Sequence, residues 1–269
     1  MTDVAVSRGS SVRGRSDIWA PAARGAVIPV AFVLGWFALE RSGLSSSHLL
    51  VPIERILALP FSNSAGRELW PALGASVVRL VTGFVIGAGL GIALGVAMGL
   101  WRVADRAIAP SFNTLRQIAL FAWIPLLTAW FGNGDGSKLV YIAMSAFFPA
   151  ALNTYLGLRN IPEAFLEVAR VLRLSFRTRL MRLVLPAALP SIFVGVQIAL
   201  ITAWLGTVSA EYAMGMGRGL GTFVSEGRGQ FRMDVVLLGV IALALVGYTI
   251  NVICTAVFRR LLVWKGGAA

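Results

Sequence analysis

EAFLEVARVLRLSFRTRLMRLVLPAALP, Glu163 to Pro190, is the stretch on which the fold turns. Both of its acids sit near the start, and Arg170, Arg173, Arg177, Arg179 and Arg182 follow. Pro186 and Pro190 then mark the beginning of an apolar run. It is the longest strongly charged segment lying between two long apolar runs. Phe165, Val168 and Leu172 fall close to one face of a helix over Glu163–Leu172, and Arg177–Leu185 fits a second helix leading into the next run. A charged helical hairpin between two membrane spans is expected to serve as a docking element for a partner outside the bilayer. The rival reading is a basic loop lying at the lipid headgroups.

The rest of the composition fits a membrane setting. The 269 residues are 57% hydrophobic and only 13% charged, where a soluble chain carries about a quarter. Mean hydropathy is +0.79. The net charge of +12 comes from basic residues placed between apolar runs rather than on one face, so it speaks for orientation in a membrane and not for nucleic acid. One cysteine, Cys254, excludes an internal disulfide, and the single histidine, His48, leaves no cluster to hold a metal.

A span needs roughly 17–25 mostly apolar residues. Six are expected, at Gly25–Leu39, Val77–Leu100, Ile118–Phe131, Leu139–Leu158, Ala187–Ala210 and Val235–Phe258. The first is short and contains Pro29, so a five-span reading stays open. Residues 1–24 read as a disordered cytoplasmic tail and residues 263–269 as a second tail. Residues 25–68 hold the first span and an extracytoplasmic loop, with an interfacial helix expected around Ile53–Leu59. Trp101–Gln117 reads as a basic connection, and Glu211–Asp234 as a loop with a glycine-dense MGMGRGLG run. With six spans, 16 of the 24 lysines and arginines fall on one side and 7 on the other, with Arg79 at the lip of the second span. The basic side faces the cytoplasm, which places both termini and the Glu163–Pro190 stretch there.

Gly83, Gly87, Gly91, Gly95 and Gly99 recur at every fourth residue and form one small-residue stripe. In lipid such a stripe permits close backbone approach. Packing against a span of the same chain is the plain reading; a sliding or subunit interface is the sharper one. Asn153, Gln197, Thr202 and Thr207 are polar groups in apolar spans, either lining a path for an oxyanion or bonding helix to helix. Arg79 and Arg116, near span ends, are expected to attract anions or to anchor at headgroups.

No energy source is encoded. Lys138 follows Ser137 rather than the glycine of a phosphate loop, a lone loop histidine cannot build a Ser-His-Asp arrangement, and no apolar span shows a central carboxylate. A channel needs no energy source; an active transporter must borrow one.

A family resemblance bears on that choice. The pattern E-x-A, three residues, a glycine, nine residues, then I-x-L-P is the cytoplasmic signature of prokaryotic ABC importer permeases, and this chain resembles it with Glu167, Ala169, Leu183, Leu185 and Pro186 at the matching places. Arg173 stands at the glycine position, where a left-handed turn would cost it about 1–2 kcal/mol. Leu69–Gly95, Trp123–Lys138, Phe147–Pro162, Val184–Leu200 and Met233–Asn251 are similar to permeases for taurine, alkanesulfonates, nitrate and related small anions. The resemblance covers about Leu69–Leu262.

It implies an all-α, polytopic type I ABC importer permease fold with a cytoplasmic coupling helix, in the cell inner membrane. Two copies would form the path, as a homodimer in membrane lipid. ATP and Mg would be bound by separate cytoplasmic ATPase subunits, with no cofactor in this chain, and an extracytoplasmic solute-binding protein would deliver substrate. Glu167, Ala169, Leu172, Arg173, Leu185 and Pro186 would couple the ATPase to the path, and none would be catalytic. A small sulfonate- or nitrate-like anion is the expected cargo. An aromatic or vitamin-precursor substrate is the alternative within the family, and a channel or scaffold without an ATPase is the alternative outside it.

Overall fold

The computed structural model describes residues 31, 34–38, 51–61 and 65–261. Met1–Pro52 form one compact unit and Ile53–Ala269 another. In the first, residues 34–38 are helical, and Trp36 Nε1 donates to Val51 O at 3.4 Å. The expected span Gly25–Leu39 and the two tails lie largely outside the described residues.

The second unit is helical, with no strand among the described residues. It begins with α1 (Ile53–Ala58) and a 3-10 turn at Leu59–Phe61, where the sequence suggests a short interfacial helix. Then follow α2 (Ala65–Leu100), α3 (Arg102–Leu115), a 3-10 turn at Leu120–Trp123, α4 (Ile124–Phe131) and α5 (Asp135–Arg159). After α6 (Glu163–Val171) and α7 (Phe176–Arg179), a π-turn at Leu180–Val184 runs straight into α8 (Leu185–Met214). α9 (Leu220–Gly229) and α10 (Met233–Leu261) complete the unit.

Four of these stretches are long and apolar enough to cross a membrane: Ala65–Leu100, Asp135–Arg159, Phe176–Met214 and Met233–Phe258. A fifth results only if α3 and the Leu120–Phe131 segment, bent by 91° to each other, count as one broken span. The expected span at Ile118–Phe131 is thus a short helical segment that crosses only together with α3, and the basic connection expected at Trp101–Gln117 takes helical form. The latter is a helix whose Ile108, Ala109 and Phe112 pack on Met98 and Ala151, so its polar composition hides an apolar face. The helix expected over Arg177–Leu185 is likewise a short α-turn and a π-turn continuous with the next span. α2 starts twelve residues before the expected Val77, taking in Arg67, Glu68 and Pro71.

The core is a three-helix layer of α2, α5 and α8. α2 and α5 run parallel, and the glycine stripe sets their separation. A Cβ on Gly83 would meet Ile142, on Gly87 the Ala143 carbonyl at 2.0 Å, and on Gly91 the Phe147 carbonyl at 2.5 Å. Gly95 meets Ala151 and Thr154, and Gly99 meets Leu158, so the contacts advance along α5 as the stripe advances along α2. The stripe thus packs against a helix of its own chain, with main chain touching main chain. α8 returns antiparallel across α5, with Gly195 against Asn153 and Gly206 against Ser145.

Pro149 inside α5 removes the N–H that would otherwise serve Ser145 O. Thr202 of α8 supplies a donor: its hydroxyl lies 2.9 Å from Ser145 O, and equally near Ile198 O in its own helix. A freed carbonyl at membrane depth is tolerated when a neighbouring helix re-satisfies it in this way.

Candidate functional site

α5 carries chemistry at both ends. The helix is about 37 Å long at 1.5 Å per residue, so its two ends reach opposite faces of a bilayer. The first end is a buried charge cluster. Glu211, in the last turn of α8, is 0% exposed. Its carboxylate accepts from Ser76 Oγ at 2.7–2.8 Å, from Arg79 Nη1 at 2.8 Å and from the Gly221 main-chain N–H at 3.0 Å. Ser76 Oγ in turn accepts from Leu220 N at 2.8 Å, so that one hydroxyl links the acid to the start of α9.

Arg79 spreads its donors over three partners. Nε and Nη2 reach Asp135 Oδ1, each at 2.9 Å, and Nη1 bridges Glu211 Oε1 and the Arg218 carbonyl at 2.6 Å. Lys138, fully buried one turn into α5, donates Nζ to Met216 O. Two cations and two carboxylates balance, and only Asp135 reaches outward, its side chain 66% exposed.

Both expectations for these residues are corrected. Arg79 neither anchors at headgroups nor lies open to anions; it is consumed by two carboxylates. Glu211 belongs to a spanning helix rather than a loop, so a carboxylate does sit in an apolar span, at its end.

The cluster shapes the Gly215–Gly219 loop. Gly215, at φ +62°, ends α8 in the left-handed conformation, and its N–H returns to Glu211 O at 3.2 Å. A Cβ on Gly219 would come within 2.4 Å of the Glu211 carboxylate carbon. The glycine-dense run is therefore the shape a chain needs in order to fold over a buried acid. Beside it a cavity of about 210 Å³ opens, with Arg67, Glu68, Arg218 and Glu226 on its walls.

The other end of α5 leads through Asn160 to α6. Leu166 packs with Leu158, Val184 and Ala188, which moors α6 to the ends of α5 and α8, and Ala169 is 2% exposed. Glu167, Val168, Val171 and Leu172 face outward around a shallow depression. Val171 is 82% exposed. Free apolar side chains flanking a free carboxylate are an interaction surface in form.

The helix ends in a Schellman motif: Leu174 N–H bonds Ala169 O at 3.1 Å and Arg173 N–H bonds Arg170 O at 3.0 Å. Arg173 has φ +46°, the left-handed geometry that a glycine would adopt without strain. Leu185 and Pro186 stand where the π-turn gives way to α8, and the Leu185 N–H reaches Leu180 O. The wider turn precedes a residue with no N–H to give, and such turns recur at functional sites.

Of the four polar span residues, Asn153 Nδ2 donates to Pro149 O at 2.9 Å and Thr207 Oγ1 to Ala203 O at 2.8 Å, each within its own helix. Thr202 is committed near Ser145 as described. Gln197 is half-buried and makes no side-chain hydrogen bond among the described residues. Glu167 and Ala169 lie on α6, Leu172 and Arg173 in its C-terminal turn, and Leu185 and Pro186 at the start of α8, while the four polar residues are spread over α5 and α8. Sequence reasoning missed Ser76, Asp135 and Lys138. Their signal was polar residues just ahead of two apolar runs, Ser76 before Val77, and Asp135 and Lys138 before Leu139.

Long parallel and antiparallel spans, a moored helix with a free face on one side and a neutralised charge cluster on the other define a multi-pass transport protein. The chain belongs to the family described as binding-protein-dependent transport system inner membrane component, which it matches over residues 87–263. It is an ABC importer permease subunit. It is 37% identical to the putative aliphatic sulfonates transport permease protein SsuC of Escherichia coli (strain K12), over 88% of this chain and 90% of that one. The Bacillus subtilis (strain 168) protein of the same name is 34% identical over 90% and 87% of the two chains. The bicarbonate transport system permease protein CmpB of Synechococcus elongatus is 33% identical, over 87% of this chain and 88% of that one. Among solved structures, the inward-facing MetNI methionine ABC transporter matches with a TM-score of 0.54 at 24% identity, over 72% of this chain and 94% of that one. That likeness concerns the fold alone.

Proposed function

We propose that this permease carries a small oxyanion, an alkanesulfonate in the first instance, as one of two identical copies in the inner membrane. The relatives' names supply the substrate class: aliphatic sulfonates, taurine, nitrate and bicarbonate all carry a compact anionic group with several oxygen acceptors, taurine beside an ammonium. A separate cytoplasmic ATPase binds ATP and Mg²⁺ and supplies the work. A solute-binding protein presents the anion on the opposite side, where the charge cluster lies. Both termini face the cytoplasm in this arrangement, in line with the arginine distribution.

The observation that carries the reading is α6, a helix moored by Leu166 and left with Glu167, Val168, Val171 and Leu172 uncovered. Closure of the ATPase pair would push on this face. Because Leu166 packs on the ends of α5 and α8, the push would be transmitted to the spans as a rigid-body tilt rather than absorbed locally. Glu167, Ala169, Leu172, Arg173, Leu185 and Pro186 are the coupling residues in this scheme. Gln197, with an amide uncommitted among the described residues, is the path candidate retained; Asn153, Thr202 and Thr207 serve the helices.

The test is growth of a strain lacking sulfonate uptake, complemented with this chain, its cognate ATPase and its binding protein. Growth on an alkanesulfonate as sole sulfur source is the expected result. Failure on sulfonate and taurine together with growth on nitrate as sole nitrogen source would reassign the anion. No gain on any of them would refute the class.

A further inference from the structure

A second cavity, of about 340 Å³, opens at the α6 end of the molecule and has no part in the coupling surface just described. Arg102, Arg159, Arg170 and Arg179 stand around it, each from a different helix, and no acidic residue lines it. Arg159 is already engaged: Nη1 donates to Asp105 Oδ2 at 2.6 Å, and the other oxygen of that carboxylate takes the Tyr155 hydroxyl at 2.8 Å. Asp105 is thereby used up. Arg102, Arg170 and Arg179 have no carboxylate partner among the described residues. The Arg179 guanidinium is set over the Phe176 ring, 5.7 Å from its centre, rather than extended at random.

The floor is of opposite character. Leu100 and Leu158 from the last turns of α2 and α5, Ile161 and Leu166 from the link to α6 and α6 itself, and Leu180 from the approach to α8 form it. These are the places where spans leave the bilayer, so the cavity straddles the boundary between hydrocarbon and headgroup. A basic rim over an apolar floor at that depth is suited to an amphiphile bearing a phosphodiester. A free inorganic anion would use the rim and leave the floor wet.

We infer that this cavity is a binding site for the headgroup of an anionic phospholipid, wedged between α6 and the ends of α2, α5 and α8. It follows from membrane residence and not from which anion is transported, so it stands or falls separately from the substrate assignment. Basic recesses between spans on the cytoplasmic side are suited to such headgroups, because the arginines there have a fixed place next to lipid phosphate. A bound lipid would brace α6 against the spans from behind while its outer face remained free.

The experiment uses the full-length protein, purified in neutral detergent and stripped of lipid. Phosphatidylglycerol, phosphatidylcholine and inorganic phosphate are titrated in parallel, with native mass spectrometry and thermal melting as readouts. The expected result is one phosphatidylglycerol retained per chain with a higher melting temperature, and neither effect from phosphatidylcholine. The double variant R102Q/R170Q should weaken phosphatidylglycerol about 25-fold, at about fivefold per arginine. R67Q/R218Q, the same charge loss at the other end of α5, should leave retention unchanged. Equal retention of phosphatidylcholine, unchanged retention in R102Q/R170Q, or equal protection by inorganic phosphate would each overturn the assignment. The wild-type titration needs no variant and decides the question even if R102Q/R170Q does not fold.

Discussion

Glu211→Gln offers a direct measure of what the buried cluster contributes. The carboxylate has three donors, Ser76 Oγ, Arg79 Nη1 and Gly221 N, and no solvent. Glutamine fits the space but presents one carbonyl and one NH₂. With the carbonyl at the Oε1 position, the NH₂ faces the Gly221 N–H at 3.0 Å, donor against donor. The ion pair with Arg79 becomes a cation-to-carbonyl hydrogen bond, and one buried N–H loses its acceptor at a cost of about 1–3 kcal/mol. Arg79 and Lys138 are then left with Asp135 alone. Breaking a buried ion pair from one side costs about 3–5 kcal/mol, and that range is the expected loss. At 2–4 °C per kcal/mol for a chain of this size, the melting temperature should fall by roughly 10 °C.

Cys254 provides the assay, because it is the single cysteine and is buried, so a thiol-reactive fluorogenic dye reports unfolding in detergent. The double variant Arg79→Met/Glu211→Leu removes one charge of each sign and leaves Asp135 and Lys138 balanced. It should melt above either single change, with a coupling of about 3 kcal/mol. A Glu211→Gln protein melting within 2 °C of wild type, or strictly additive single changes, would refute the clasp.

Three further perturbations have defined outcomes. Gly87→Leu places atoms into the Ala143 carbonyl, and overpacking of this kind costs about 1–3 kcal/mol or more; lost expression or a clearly lower melting temperature is expected, and a wild-type melt would contradict the close contact. Arg173→Gly removes about 1–2 kcal/mol of left-handed strain and adds roughly 0.5–1 kcal/mol of unfolded-chain entropy, so a small net gain in melting temperature is expected. A clear loss would mean that the arginine side chain holds a partner. Glu167→Lys reverses a charge on the exposed face of α6, so melting should be unchanged while ATPase co-purification and uptake fall at least tenfold. Unaltered co-purification would remove Glu167 from the docking surface.

The residues themselves explain which features were legible beforehand. A glycine at every fourth position announces a stripe whatever it packs against. That the partner is α5, running parallel, is set by contacts some 60 residues away that no local period contains. Glu163–Pro190 was legible because charge and period both change there, and Arg173 was legible as the residue out of place. Glu211 was not. It directly follows an uncharged run and precedes glycines, so it looks like the first residue of a loop, and its neutralising partner is Arg79, far upstream. The α3 helix was hidden for a different reason: three arginines and an aspartate within Trp101–Gln117 outweigh, by composition, the few apolar residues that bury its inner face.

The π-turn at Leu180–Val184 has a mechanical consequence. Such a turn holds one residue more than the helix around it, and one residue corresponds to about 100° of rotation about the axis. The turn before it, Phe176–Arg179, is therefore set about a quarter-turn out of phase with α8. Moving the bulge along the axis by a few residues re-phases the side chains it passes without stretching the helix or breaking its far end. Under the proposed coupling role the junction would work as a crank: a push on α6 would reach the span as torque about its axis as well as displacement along it, and Pro186, having no N–H, cannot itself extend the π pattern.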